Sequence, residues 1–197
     1  MRFLTEEEEK KLRKVIKAKW PSHLPELDLA INTGIRKGSQ YGLTWDMVDW
    51  KSRELHIPRT KNEEPLHPPL NNAAVAALKV VCRRGDGTGR VFKSSKTDDP
   101  LENGRHWFDD AVLEAKLRKF RWHDLRHTFA SRLRMKGTPL EDIADLLGHK
   151  SLTMTRRYAH LGPNKLHGVV SRLGPSATRS ATGESEPAAP TSEVTVQ

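Results

Sequence analysis

Apolar positions along most of the chain fall three or four residues apart, the spacing that gathers them on one side of a helix, and the runs stop at glycines. Thr5 followed by Glu8 has the spacing of a capping box, so a helix is expected from Thr5 to about Lys19 with Leu12, Val15 and Ile16 inward. Its other face carries Lys10, Lys11, Arg13, Lys14, Lys17 and Lys19, either a solvated surface or a contact for a nucleic-acid backbone. A second run, Leu24 to Ile31, ends at Asn32-Thr33-Gly34, where glycine can turn the backbone sharply. Arg36 comes straight after that turn.

The period then shortens. Met47–Trp50, Leu55–Pro58 and Pro65–Pro68 read as a three-stranded antiparallel sheet, with turns at Lys51-Ser52-Arg53 and around Lys61-Asn62-Glu63. Pro58, Pro65, Pro68 and Pro69 keep that sheet small and edge-rich. Lys61 falls at or near a hairpin tip, where a long cationic side chain can reach over a ligand.

Helical spacing resumes at Asn71 or Asn72, either of which can cap a helix with Ala74, Leu78 and Val81 on one face. Gly85 to Gly104 is rich in Gly, Lys, Ser and Asp and reads as a surface loop anchored by Val91 and Phe92. A helix from about Asn103 to Lys119 is expected to bury Trp107, Val112 and Leu113, and another opens at Trp122, turns Leu125, Phe129 and Leu133 inward and stops at Gly137. Thr138-Pro139-Leu140-Glu141 has the form of a capped helix start, buried through Ile143, Leu146 and Leu147 and ended by Gly148. A short basic helix from Leu152 to His160 carries Tyr158, and Leu166, Val169, Val170 and Leu173 stripe a last one. Beyond Gly174 the chain is Ser, Thr, Ala, Pro and Glu, a disordered tail. The fold class is mainly α with a small three-stranded antiparallel β-sheet.

Length and charge narrow the picture. At 197 residues there is room for one domain with a proper core. Lys and Arg number 34 against 25 Asp and Glu, a formal net charge of +9 that points to a polyanionic partner such as nucleic acid. A membrane surface is the rival, but no stretch reads as a spanning segment or lipid anchor. Cys82 stands alone, without a disulfide or zinc-site companion, and reads as a small buried hydrophobe in a protein of a reducing interior. Met1-Arg2-Phe3-Leu4 and the glutamates after Thr5 lack the apolar core of a signal peptide, so a cytoplasmic location is expected.

Polar residues at helix starts and loop tips supply candidate chemistry: Arg36, Lys61, His123 and Arg126 one helical turn apart, His149 after Gly148, and Tyr158 nine residues on. Singly each has a bland reading, as a solvated cation, a histidine at a helix end or an amphipathic tyrosine. Together they contain what is needed to cleave a phosphodiester. Two arginines can clamp the non-bridging oxygens and neutralise the charge that builds in the pentacoordinate transition state. A tyrosine hydroxyl can attack phosphorus, a histidine can assist its deprotonation, and a lysine can protonate the departing oxygen. No carboxylate cluster or Cys/His set has metal-ligand spacing, so no metal or other cofactor is expected.

The order and local text of these residues resemble the catalytic domain of tyrosine recombinases, the phage integrase family. The resemblance rests on Thr33-Gly34-Ile35-Arg36, on Thr60-Lys61, on His123-Asp124-Leu125-Arg126-His127-Thr128-Phe129-Ala130, and on Leu146-Leu147-Gly148-His149 with Thr155 and Tyr158-Ala159-His160. It implies that Arg36 and Arg126 bind the phosphate, that Tyr158 is the nucleophile, that Lys61 is a hairpin general acid, and that His123 and His149 orient and stabilise the scissile phosphate. It further implies a 3′-phosphotyrosine intermediate formed without nucleotide cofactor on double-stranded DNA. A homo-oligomer, a tetramer on DNA, is implied too, with possible accessory DNA-bending proteins and a C-terminal segment passed to a neighbour. On this reading residues 1–173 are the catalytic domain, 174–197 are a disordered tail, and the core-binding domain usual before it in the family is absent from this chain. Ser39 departs from the pattern, because the family usually has an acidic residue three positions after the first arginine.

A second class of reading stays open at this level. Thr138 to His160 outlines a non-catalytic, helix-turn-helix-like DNA-binding module with Lys150, Arg156 and Arg157 on DNA, and a regulatory relic of a recombinase is a third possibility.

Overall fold

The computed structural model describes residues 1–58, 64–93, 105–163 and 170. The expectations for Lys61, the 94–104 loop segment, the 166–173 stripe other than the exposed Val170, and the tail fall outside those residues.

Local capping explains the first helices. In α1, Glu6–Lys19, the Thr5 hydroxyl accepts the Glu8 N–H at 3.2 Å and the Glu8 carboxylate accepts the Thr5 N–H at 3.1 Å, as the capping-box spacing predicts. Leu12 and Ile16 are fully buried beneath it. On its basic face, Arg13 bonds Glu9 at 2.6 Å and Asp28 at 2.5 Å, and Lys19 reaches Glu114 at 2.8 Å, so these two cations serve the fold. Helix α2, Leu24–Thr33, ends at Gly34, whose φ of 63° is left-handed. A Cβ on Gly34 would stand 2.4 Å from Phe129 Cδ1, so the turn and the packed ring both require glycine there. The short helix α3, Lys37–Tyr41, follows with Arg36 at its N-cap.

The sheet is smaller than expected. Strand β1, Val48–Asp49, pairs antiparallel with β2, Glu54–Leu55, in the register Val48↔Leu55 and Asp49↔Glu54. The expected third strand is present only as isolated bridges, Ile57↔Leu66 and Glu54↔Pro69, among the described residues. Ile57 and Leu66 exchange hydrogen bonds of 3.0 and 2.9 Å. Pro65, Pro68 and Pro69 have no N–H to extend that ladder, nor does Pro58 opposite them.

Helix α4, Asn72–Cys82, is capped by Asn71, whose side chain accepts the Ala74 N–H at 2.9 Å. Helix α5, Arg105–Glu114, stops short of the expected Lys119, and Lys116 and Lys119 take left-handed φ angles of 55° and 49°. Its buried face is Trp107, Phe108, Ala111 and Val112, continuing to Ala115, which leaves Leu113 on the outside at 78% exposure, contrary to the sequence expectation. Helix α6, Trp122–Met135, begins where Asp124 accepts the Arg121 N–H at 2.7 Å. Helix α7, Leu140–Leu147, has Pro139 rather than Thr138 at its N-cap and ends at Gly148, φ 59°. The expected helix from Leu152 to His160 is split into α8, Leu152–Thr155, and a 3-10 segment, Arg156–Leu161.

Two apolar clusters hold these elements. The larger runs from Leu4 and α1 through α2, α4 and α5 to the start of α6. The smaller consists of Ala130, Ile143, Leu147 and Tyr158, with Phe129, Leu133, Leu140 and Leu161 packed against it. The tyrosine singled out for chemistry is thus also a core residue of the α6–α7 corner.

Candidate active site

Arg126 lies on α6 with only 5% of its surface exposed. Its Nη1 donates to the Gly34 carbonyl at 2.8 Å and its Nη2 to the Leu147 carbonyl at 2.5 Å. Those carbonyls belong to the C-terminal ends of α2 and α7, the negative ends of both helix dipoles. Among the described residues no carboxylate forms an ion pair with Arg126 or Arg36. Burial, reinforced by Arg36, brings the Arg126 pKa down to about 10, while Tyr158 acts the other way. A desolvated cation without an anion is a site for one. Ser39, where the family usually has an acidic residue, is half-buried on α3, and the described partners of Arg126 are the two main-chain carbonyls.

Arg36 is set by the anchoring of α3. The Tyr41 hydroxyl donates to Glu26 Oε2 at 2.7 Å, His23 Nδ1 donates to Glu26 Oε1 at 2.6 Å, and Gln40 donates to the Glu26 carbonyl at 2.9 Å. Burial, with the Glu26 charge beside it, pushes the Tyr41 phenol far above its ordinary value, so this network is a fixed strut. The Lys37 ammonium lies 5.6 Å from the Tyr41 ring centre and 5.5 Å from that of Trp122, the first residue of α6. The charge of Arg36 is felt by Arg126, His123 and His149 alike, which places these groups around one region.

Tyr158, in the 3-10 segment, is 1% exposed, and its hydroxyl stands 2.7 Å from His127 Nδ1. Burial pushes its phenol pKa up, while Arg126 and Arg157 oppose the rise. His149 Nδ1 is 2.8 Å from the Thr155 hydroxyl, and the ring of His123 meets that of His127 edge-on at 4.9 Å. Burial first, then surrounding cations, lowers all three imidazoles, to about 4 for His127 and His149. The structure therefore brings Arg36, His123, Arg126, His149 and Tyr158 into one neighbourhood. The sequence reading gave His127 no role. The available signal was its place four residues after His123, on the same side of a helix.

These histidines make stability depend on acid. A group whose folded pKa is depressed from about 6.5 stays neutral in the folded chain while the unfolded chain takes up a proton, so stability is lost as pH falls from about 6.5 towards 4. The rings are half exposed, so solvent screening limits each contribution to roughly 1–2 kcal/mol. The urea midpoint of the wild-type chain should fall between pH 7 and pH 5, and the double variant His127→Gln with His149→Gln should flatten that fall.

Helix-turn-helix recognition fits this corner poorly, since α8 has four residues and Tyr158 is turned into the core instead of presenting a long exposed helix. Residues 2–165 match the phage integrase family, and the chain belongs to that family. It is similar to the integrase of Salmonella phage P22, 30% identical over 152 residues, covering 71% of this chain and 39% of that protein. It is also similar to the shufflon-specific DNA recombinase of Escherichia coli, 29% identical over 161 residues and covering 81% of this chain and 40% of that one. The chain thus spans about two fifths of the length of these relatives. Among solved structures it resembles the catalytic domain of bacteriophage HP1 integrase with a TM-score of 0.70 and 26% identity, covering 87% of this chain and 94% of that domain. The fold is that of a tyrosine recombinase catalytic domain. Among the described residues no helix is long and apolar enough to cross a membrane.

Proposed function

We propose that this chain is the catalytic domain of a site-specific DNA recombinase or integrase, residues 1–173, which cleaves and rejoins duplex DNA through a 3′-phosphotyrosine on Tyr158. The observation that carries the reading is the buried Arg126 guanidinium, held by two helix-end carbonyls without a carboxylate among the described residues, beside the one tyrosine whose hydroxyl faces a histidine. In this reading Arg36 and Arg126 bind the non-bridging oxygens, His123 and His149 orient the phosphate, and Lys61 protonates the departing 5′ oxygen. Ligation conserves the energy of the broken bond, so the reaction calls for neither ATP nor metal. The net charge of +9 suits the DNA partner, and a tetramer on DNA in the cytoplasm is the assembly the family likeness suggests.

The test is a denaturing gel for protein–DNA adducts, using a pool of duplexes of randomised sequence with a bridging 5′-phosphorothiolate, whose sulfur leaves without needing a proton. The wild-type chain should give an adduct, and Tyr158→Phe should give none while binding the pool as before. An adduct persisting in Tyr158→Phe would refute the assignment of the nucleophile.

A further inference from the structure

We infer that His127 accepts the hydroxyl proton of Tyr158 as its oxygen attacks phosphorus, and returns it when the strand is rejoined; this rests on the function proposed above. The Tyr158 hydroxyl has one described hydrogen-bond partner, His127 Nδ1 at 2.7 Å, with the two ring centres 5.9 Å apart. Neither of the two histidines that the motif brings forward has a described hydrogen bond to Tyr158. His149 turns its Nδ1 to Thr155 Oγ1, and His123 presents its ring to His127. His127 also follows Arg126 directly on α6, so one turn of helix fixes both the proposed phosphate ligand and the nitrogen that holds the nucleophile.

The surroundings make the acceptor depend on substrate. The groups around His127 are His123, Asp124 and Arg126 on its own helix, Arg157 and Tyr158 on the 3-10 segment, and His149 beyond α7. Burial and the cations among them keep the imidazole neutral, so Nδ1 can accept the phenol proton. A phosphodiester lying on Arg126 offsets part of that positive field and raises the proton affinity of His127 when it is needed. In cleavage the Tyr158 Oη–P bond forms, the P–O5′ bond breaks, the phenol proton passes to His127 Nδ1, and the 5′ oxygen is protonated by the separate acid. In rejoining, the 5′ hydroxyl gives its proton back to that separate acid as the P–O5′ bond re-forms, the Oη–P bond breaks and Nδ1–H returns its proton to Tyr158.

Adduct formation on the phosphorothiolate pool isolates the attacking side, because its leaving sulfur needs no acid. His127→Asn and His127→Gln should bind the pool like wild type but form adduct about a hundredfold more slowly. Their rates should climb roughly tenfold per pH unit between about pH 6 and 9, as solvent takes over deprotonation, whereas the wild-type rate stays nearly flat. Variants with the wild-type pH profile, at any rate, would overturn the inference and leave the proposed function standing. A wild-type chain that forms no adduct on the pool would overturn both. Independently of DNA, the 15N resonance of His127 Nδ1 should shift in Tyr158→Phe, and an unmoved resonance would remove the hydrogen bond on which the inference stands.

Discussion

Gly34→Ala is expected to destabilise the chain by about 2–4 kcal/mol in urea unfolding at neutral pH. Two costs add. An alanine in the left-handed region costs about 1 kcal/mol, and forcing a methyl group into a packed ring costs roughly 1–3 kcal/mol. Here φ is 63° and the added carbon would stand 2.4 Å from Phe129 Cδ1. The double variant Gly34→Ala with Phe129→Leu should recover the packing part and retain the backbone part, so the two effects can be read apart. Because the Gly34 carbonyl holds Arg126 at 2.8 Å, adduct formation by Gly34→Ala should fall further than stability alone accounts for. A urea midpoint equal to that of wild type would contradict the close packing described at this turn.

Arg126→Lys is expected to slow adduct formation by about 10²–10³-fold while leaving the chain folded. The guanidinium uses a planar fork to hold two carbonyls on different helices and, under the proposed function, to bind the phosphate as well, and an ammonium cannot reproduce that arrangement. A lysine in this desolvated position also gives up its proton more readily than arginine, so its loss should be partly recovered at lower pH. Equal adduct rates for Lys and Arg at this position would assign Arg126 to the architecture alone.

The helices that the sequence announces most clearly are those whose ends are decided locally. The Thr5–Glu8 box and Gly34 and Gly148 as left-handed stops each act within a few residues and are present where the sequence predicts them, and of the two asparagines that could cap α4 it is Asn71 that does. What could not be read locally was decided by packing. Leu113 has the composition of a core position, but the buried face of α5 runs through Trp107, Ala111 and Ala115 and turns it outward. The prolines that were expected to thin the sheet left only bridges where a third strand was expected. Arg36, His123, Arg126, His149 and Tyr158 were identifiable from motif order, and their common neighbourhood in the structure supports the proposed roles. Spacing places His127 on the same side of its helix as His123, but its bond to Tyr158 crosses 31 residues of chain and is visible only in the fold.

The two carbonyls on Arg126 come from 92 residues earlier and 21 residues later in the chain. Under the proposed function this makes assembly a safeguard. A nascent, clipped or half-unfolded chain lacks one end of that bridge, and long-range contacts of this kind form late in folding. Such a chain carries the tyrosine but no shaped cradle for a phosphate. The ability to break a chromosome then arrives only with the completed fold, and disappears with the first large-scale loss of it.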